Sequence, residues 1–252
     1  MDDDTFITSK DMIEIDITYR CDLKCLNCDR SCRQAEAECD MSLRHILKFV
    51  EESEAEGYEW NRIRIMGGEP LLHPDIGEIM KIFSYYGKRH PNTLIELFTN
   101  GIEKNVPSVP DNIEMHNTRK ADIYNEKFEP YNLAPVDLNV TADYRKGCWI
   151  TSYCGMGLNI YGYYPCAAGA AVDRVFGFDI GSSCISKAAE RFEEQKDRLC
   201  RYCGHFLSRK YVGPNERMGC GKKEMMSKSW KEIYARYQKK RPRLTVGGSD
   251  GT

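Results

Sequence analysis

From Met12 to Thr18 apolar and polar residues alternate, with Ile13, Ile15 and Ile17 on one side and Glu14 and Asp16 on the other. That is the period of a β-strand. Beyond a cysteine-rich loop the period changes. Leu43, Ile46, Leu47 and Val50 fall at i, i+3, i+4 and i+7, one face of a helix, with Ser42 as its N-cap and Gly57 as its stop. Residues 62–66 are a second predicted strand, ending in Gly67-Gly68-Glu69-Pro70. The next predicted helix begins near Pro74, carries Ile76, Ile79, Met80 and Phe83 on one face and stops near Gly87. Residues 94–98 form a third strand that closes on Thr99-Asn100-Gly101. Strands alternating with helices imply a parallel sheet, whose ligand sites lie at the carboxyl ends of the strands. All three unusual loops fall there.

After Gly101 the pattern weakens. Residues 112–118 and 136–140 are predicted as further short strands, and Tyr124, Phe128, Pro130, Tyr131 and Pro135 between them follow no period. From Cys148 the chain is rich in Gly, Tyr and Cys, and Leu158-Asn159-Ile160 and Tyr163-Tyr164-Pro165 flank Tyr161-Gly162 as a hairpin. Trp230, Ile233, Tyr234 and Tyr237 make one helical face, and residues 247–252 are expected to be disordered. There is no internal repeat.

A chain of 252 residues supports one sizeable core, or a main domain with a small appendage. Its 41% hydrophobic and 29% charged residues are those of a soluble globular protein. A net charge of −2 offers no bulk attraction to nucleic acid or membrane. No apolar run approaches the roughly 18 residues a membrane span needs. The start, Met1-Asp2-Asp3-Asp4, is acidic where an export signal would be basic, so a cytoplasmic location is expected. Twelve cysteines then stand out. In a reducing compartment they stay free of disulfides. Scattered buried thiols would be the plain reading, but five lie between Cys21 and Cys39, three between Cys148 and Cys166, and Cys200 and Cys203 form a CxxC. Clustering of this kind points to metal ligation.

Cys21, Cys25 and Cys28 form CxxxCxxC directly after the first strand. Three thiolates on one loop suit three corners of a [4Fe–4S] cubane and leave its fourth iron open. A zinc site would instead recruit Cys32 or Cys39 as a fourth ligand. This motif after strand one, with Gly-Gly-Glu-Pro closing strand two, resembles the radical SAM (S-adenosylmethionine) superfamily over roughly residues 10–118. The resemblance implies an enzyme of α/β class, a parallel-sheet partial (β/α) barrel followed by a small C-terminal cluster-binding domain containing a β-hairpin. The core looks short, with three clear strands before Gly101 where the family's barrel has six. It further implies that SAM chelates the open iron and that the backbone of Gly67, Gly68 and Glu69, ahead of Pro70, receives the methionine amino group. Thr99 and Asn100 match the family's strand-end segment near SAM, though a simple strand-to-loop turn would look the same. Asn27 departs from the pattern, because many relatives carry an aromatic residue there beside the adenine. The implied chemistry is reductive cleavage of SAM to methionine and a 5′-deoxyadenosyl radical, which takes hydrogen from a substrate carbon. The electron would come from an external donor of flavodoxin or ferredoxin type.

Cys148 and Cys154 before the hairpin, Cys166 after it, and Cys200 with Cys203 resemble the Twitch domain, the shorter relative of SPASM, which holds one auxiliary [4Fe–4S] cluster. Five cysteines compete for four places, with Cys154 favoured over Cys148. A zinc site, with His205 as a possible member, is the alternative. By the same resemblance the auxiliary cluster could accept an electron from a substrate radical and complete an alcohol oxidation, for which the sequence reveals no base. Cys32 is a candidate hydrogen donor for an epimerase, while Cys39, Cys184 and Cys220 read as ordinary thiols. His73 reads as a helix cap. The basic run 222–243 reads as a solvated helix face, or as an attraction for a phosphorylated or nucleotide-linked substrate.

The expected organisation is a core at 1–145, a cluster domain at 146–221, a basic helix at 222–246 and a tail at 247–252. The expected function is dehydrogenation or epimerisation of a small polyol, sugar or nucleotide-like substrate. A maturase of a ribosomally made peptide is the second reading, disfavoured because the chain starts almost at strand one and leaves no room for a leader-binding domain. A non-catalytic iron–sulfur or zinc protein is the third.

Overall fold

In the computed structural model, which describes residues 5–35, 40–103, 106–118, 130–209 and 224–240, the first strand is central. β1 (Met12–Asp16) pairs in parallel with β2 (Arg62–Met66) on one side and with β5 (Met156–Asn159) on the other. β3 (Leu94–Thr99) and β4 (Glu114–Asn117) extend the sheet in parallel beyond β2, and β6 (Gly162–Tyr164) closes the opposite edge as the antiparallel partner of β5. The order β4-β3-β2-β1-β5-β6 makes a mostly parallel α/β sheet. The predicted hairpin is therefore continuous with the main sheet, and its turn lies at Ile160 and Tyr161, where Asn159 Oδ1 accepts from the Tyr161 amide. Among the described residues no helix is long and apolar enough to cross a membrane.

One face of the sheet is apolar. Ile13, Ile15, Ile63, Ile65, Ile95 and Leu97 pack there against α1 (Leu43–Ala55) and α2 (Ile76–Arg89). Ser42 caps α1 as expected, its side chain accepting from the His45 amide. The helix phase differs from the predicted one. Ile46, Phe49, Val50 and Ser53 are buried, whereas Leu47 is 45% exposed. A buried serine hid the true stripe: Ser53 Oγ donates to the Phe49 carbonyl and accepts from Trp60 Nε1, so it is satisfied without water.

Gly87 also does something other than predicted. The helix passes through it to Arg89, and a Cβ there would meet Ile95 Cδ1 at 2.7 Å, so the glycine lets α2 approach β3. Residues 136–140 are not a strand. Pro135 starts a 3₁₀ turn, Pro135–Leu138, that ends at Asn139 in the left-handed region.

The second core gathers Tyr131, Tyr164, Ala168, Val172, Leu199, Trp230 and Tyr234. It lies among α4 (Ala167–Phe176), α5 (Ala188–Leu199) and α6 (Lys228–Lys240), with the short α3 (Trp149–Tyr153) preceding β5. The stripe of α6 is as predicted, with Trp230 and Tyr234 buried and Ile233 and Tyr237 packed beside them. Cys39, Cys220, Tyr124, Phe128, the tail 247–252 and parts of the basic run 222–243 lie outside the described residues.

Candidate active site

The polar positions of β1 are buried too, and this defines the second face of the sheet. Glu14 is in register with Arg64, Arg64 with Glu96, and Glu96 with Glu114, so one row of charged residues crosses four strands, alternating in sign over the first three. Arg64 donates from Nη1 to Glu14 Oε1 at 3.1 Å and from Nε to Glu96 Oε2 at 2.8 Å. His116 Nε2 lies 3.0 Å from Glu96 Oε1, and the His116 ring stacks on Phe98 at 4.7 Å. Arg30, from the cysteine loop, covers this face. Its guanidinium donates to Glu14 at 3.0 Å, Asp16 at 3.2 Å and Asp29 at 2.7 Å. Burial is the main reason that the Asp16 carboxyl is pushed up to about 6. Charges taken out of water persist because each has a partner, and removing one member would strand the others.

Above this face, at the carboxyl ends of β1 to β3, lies a cavity of about 250 Å³. The loop after β1 brings Cys21, Cys25 and Cys28 to its wall, with Cys32 beside them. Cys28 is pulled down to about 7 because Cys32 hydrogen-bonds to it, and that contact, with burial, raises Cys32. Burial pushes Cys21 up to about 12. A thiol donor set on one wall of an open cavity is chemically suited to a soft metal or an iron–sulfur cluster, whose binding would release the remaining thiol protons.

Four of the predicted SAM-site residues, Gly67, Gly68, Thr99 and Asn100, line the same cavity. The glycines are needed for backbone packing. A Cβ at Gly67 would sit 2.2 Å from the Thr18 carbonyl, and one at Gly68 would sit 2.2 Å from that of Arg20. The Gly68 and Glu69 amides donate to those carbonyls, which fixes the start of the cysteine loop against the end of β2. Glu69 and Pro70 stand behind the cavity wall. Glu69 is buried, and its carboxylate accepts from the amides of Leu71 and Asn100, joining the ends of β2 and β3. Asn100 Nδ2 donates to Asp22 Oδ1 at 2.7 Å, tying the end of β3 to the residue after Cys21. His73 is the C-cap of the 3₁₀ turn Pro70–Leu72 rather than the cap of α2: α2 has Asp75 as its N-cap, and His73 Nδ1 accepts from the Asp75 amide.

Of the five downstream cysteines the structure gathers Cys148, Cys166, Cys200 and Cys203 around one apolar space, with His205 and Phe206 on its wall. Burial raises the Cys166 thiol to about 12, with Cys148 adding to it. Cys200 and Cys203 are raised by burial and by their neighbours in the same group. Cys154, the one favoured from sequence, is elsewhere. It closes α3 facing Glu14, and burial and that carboxylate raise its thiol. The helical turn 149–153 points residues 148 and 154 in different directions, a distinction that sequence order alone does not carry. Cys184 is a peripheral thiol in contact with Ser186. Among the described residues every cysteine is free of disulfides.

Sequence reasoning missed the charged face, namely Glu14, Arg30, Arg64, Glu96 and His116. Acidic residues at alternate positions of a strand whose other side is all isoleucine were the available signal. Glu96, Glu114 and His116 bring ligand atoms within 4.8 Å of one another. Two guanidiniums, Arg64 and Arg62, already face Glu96, which disfavours a cation there.

A family model described as the radical SAM superfamily matches residues 15–119, the segment that builds this cavity. A probable GTP 3′,8-cyclase of Methanococcus maripaludis is 40% identical over 88 residues, 35% of this chain and 28% of that protein. The GTP 3′,8-cyclase of Aliarcobacter butzleri is 31% identical over 100 residues, 39% of this chain and 29% of that one. The chain thus spans less than a third of the length of these relatives. Among solved structures, BtrN in complex with AdoMet and 2-DOIA is 13% identical, with a TM-score of 0.45 over 79% of this chain and 94% of that one.

Proposed function

We propose, from a chain whose residues 15–119 match the radical SAM superfamily, that this protein is a radical SAM enzyme that oxidises or epimerises a small hydroxyl-bearing substrate. The observation that carries the reading is the convergence of Cys21, Cys25 and Cys28 with Gly67, Gly68, Thr99 and Asn100 on one cavity at the strand ends. Those thiols would hold three irons of a [4Fe–4S] cluster and leave the fourth to SAM. Cluster and SAM together supply a low-potential one-electron cleavage that yields a hydrogen-abstracting 5′-deoxyadenosyl radical. The electron comes from an external carrier of flavodoxin or ferredoxin type.

The chain's own residues then have four tasks. The turn at Gly67 and Gly68, whose Gly68 and Glu69 amides are spent on Thr18 and Arg20, keeps carbonyl oxygens for the amino group of SAM. Thr99 and Asn100 bound the cofactor's side of the cavity. Met66 and Phe98 form an apolar floor that excludes water from the reacting carbon. Asp29 and Arg30, which line the cavity, supply hydrogen-bonding groups for substrate hydroxyls, with the charged row standing behind them. Each guanidinium on this face, Arg30, Arg62 and Arg64, already faces a carboxylate. That favours a polyol or sugar over a phosphorylated substrate, since phosphate would have to compete for them.

Cys148, Cys166, Cys200 and Cys203 are assigned to a second, closed cluster that accepts the substrate's electron. The core at 1–145 and the unit at 146–221 then share one sheet and divide the two sites between them. Cys32 supports the epimerising variant, because its thiol lines the radical's cavity.

Anaerobic reconstitution with iron, sulfide, dithionite and SAM tests the reading. The full chain is expected to hold about eight irons and release 5′-deoxyadenosine, and the Cys21/Cys25/Cys28 triple alanine variant about four irons and none. Zinc alone, or no 5′-deoxyadenosine, would overturn it. A ketone product separates oxidation from epimerisation, in which deuterium from D₂O enters the recovered substrate.

A further inference from the structure

The third cysteine sits between two strained residues. Asn27 and Ser31 are two of the few non-glycine residues with positive φ among the described residues, at 54° and 48°, and both are fully buried. An L-residue in the left-handed region costs on the order of 1 kcal/mol, so surrounding contacts must hold it there. One is local, the Ser31 amide donating to the Cys28 carbonyl at 2.9 Å, and another comes from α4, where Arg174 Nη2 donates to the Arg30 carbonyl.

The decisive side-chain contacts come from about two hundred residues away in sequence. The Met225 amide donates to Asn27 Oδ1 at 2.8 Å. The Tyr234 hydroxyl, on α6, is 2.6 Å from Ser31 Oγ and donates to Asn132 Oδ1 at 2.9 Å, which leaves Ser31 as the donor to Tyr234. Gln34 Nε2 donates to Glu224 Oε1 at 2.8 Å, just beyond the loop. Two hydrogen bonds therefore straddle Cys28, one at the residue before it and one three residues after. The same C-terminal segment is anchored at the other cysteine set, where Trp230 Nε1 donates to the carbonyl of Tyr202, between Cys200 and Cys203. These contacts also account for Asn27. Its side chain is turned into the protein as a backbone acceptor and is committed to the C-terminal segment.

We propose that Tyr234 and the Met225 amide are positioning elements for the radical SAM site, holding Ser31 and Asn27 in the left-handed conformations that aim Cys28 at the cluster. The proposal rests on Cys21, Cys25 and Cys28 as the cluster ligands. Neither Tyr234 nor Met225 touches substrate. Their effect passes through the loop, as supporting contacts behind a metal ligand commonly act.

Full-length Tyr234→Phe, Asn27→Ala and Asn27→Asp are compared with the unaltered chain by iron content, thermal unfolding and low-temperature EPR of the dithionite-reduced protein with and without SAM. Tyr234→Phe keeps the ring in its apolar seat and removes the hydroxyl. Asn27→Asp keeps an acceptor for Met225 and tolerates positive φ, whereas Asn27→Ala does neither. The SAM-responsive signal is expected to fall about 10- to 100-fold in Tyr234→Phe and Asn27→Ala and to recover in Asn27→Asp. The four irons of the second set should stay, with unfolding temperature little changed. A full SAM-responsive signal in both damaging variants would overturn the proposal. Parallel loss of both iron sets would overturn it too, since that is what a merely structural contact would produce. If the unaltered chain gives no SAM-responsive signal, the ligand assignment falls and takes the proposal with it, a failure visible without any variant.

Discussion

The two sets of thiols are built by opposite strategies. Cys21, Cys25 and Cys28 come from a single loop, face a cavity of about 250 Å³, and Cys21 and Cys28 are half-buried. Cys148, Cys166, Cys200 and Cys203 come from four positions spread over three elements and are all buried. An open wall of three donors suits a site that must admit another molecule, and a closed ring of four suits one that must not. Between them stand Arg30 and Glu14. Arg30 follows Cys28 by two residues and donates to Glu14, and the charges of both groups reach Cys166. The difference lies in what surrounds the sulfur atoms, since the thiols themselves are identical.

Exchanging the cysteines that flank α3 breaks the comparison most directly. Cys148→Ala is expected to lose about four irons and Cys154→Ala none, by iron and sulfide analysis of anaerobically isolated protein. The reverse result would dissolve the second ring as described. Next in size is Glu14→Ala, which removes the carboxylate shared by Arg30 and Arg64 and breaks two buried ion pairs at once. A loss of about 3–5 kcal/mol in urea-unfolding free energy is expected, and a loss below 1 kcal/mol would show that the face between the sites is wetter than described.

The pH dependence is smaller and has a definite sign. Burial raises Asp16 to about 6 in the folded chain, above its ordinary value of 3.8, so the folded state binds the proton more tightly. Stability from this group is therefore greatest at low pH and falls as pH rises through about 6. Between pH 5 and 7 the fall is about 1 kcal/mol, and Asp16→Asn should flatten it in matched denaturant titrations. An equal slope in both proteins would remove Asp16 as its source. The smallest effect is expected on the outer layer, remote from both sites. Leu47→Ala should change stability by less than about 0.5 kcal/mol, whereas Ile46→Ala should cost about 2–5 kcal/mol.

Patterning explains both what was legible and what was not. The β1, β2 and β3 strands were readable because isoleucine and leucine recur at every second position. The helix phase was misread by one residue, because Ser53 is polar in type but satisfied within the core by Phe49 and Trp60. Gly87 was read as a stop because local sequence shows only the flexibility of glycine, and the neighbour that needs the space, Ile95, belongs to another element. CxxxCxxC was legible because its chemistry is local to one loop. The choice between Cys148 and Cys154 was not, because it depends on which way the turn 149–153 points each side chain.

The sequence by itself determined the elements whose signal is periodic or local: three strands, two helices, the three-thiol loop and the glycine turn that meets it. Tertiary structure alone decided the rest, including the buried charged row, the membership of the second thiol ring and the hold of Tyr234 on Ser31. Those features join residues far apart in the chain, and their energies come from burial and partner geometry, which no residue carries in its own identity.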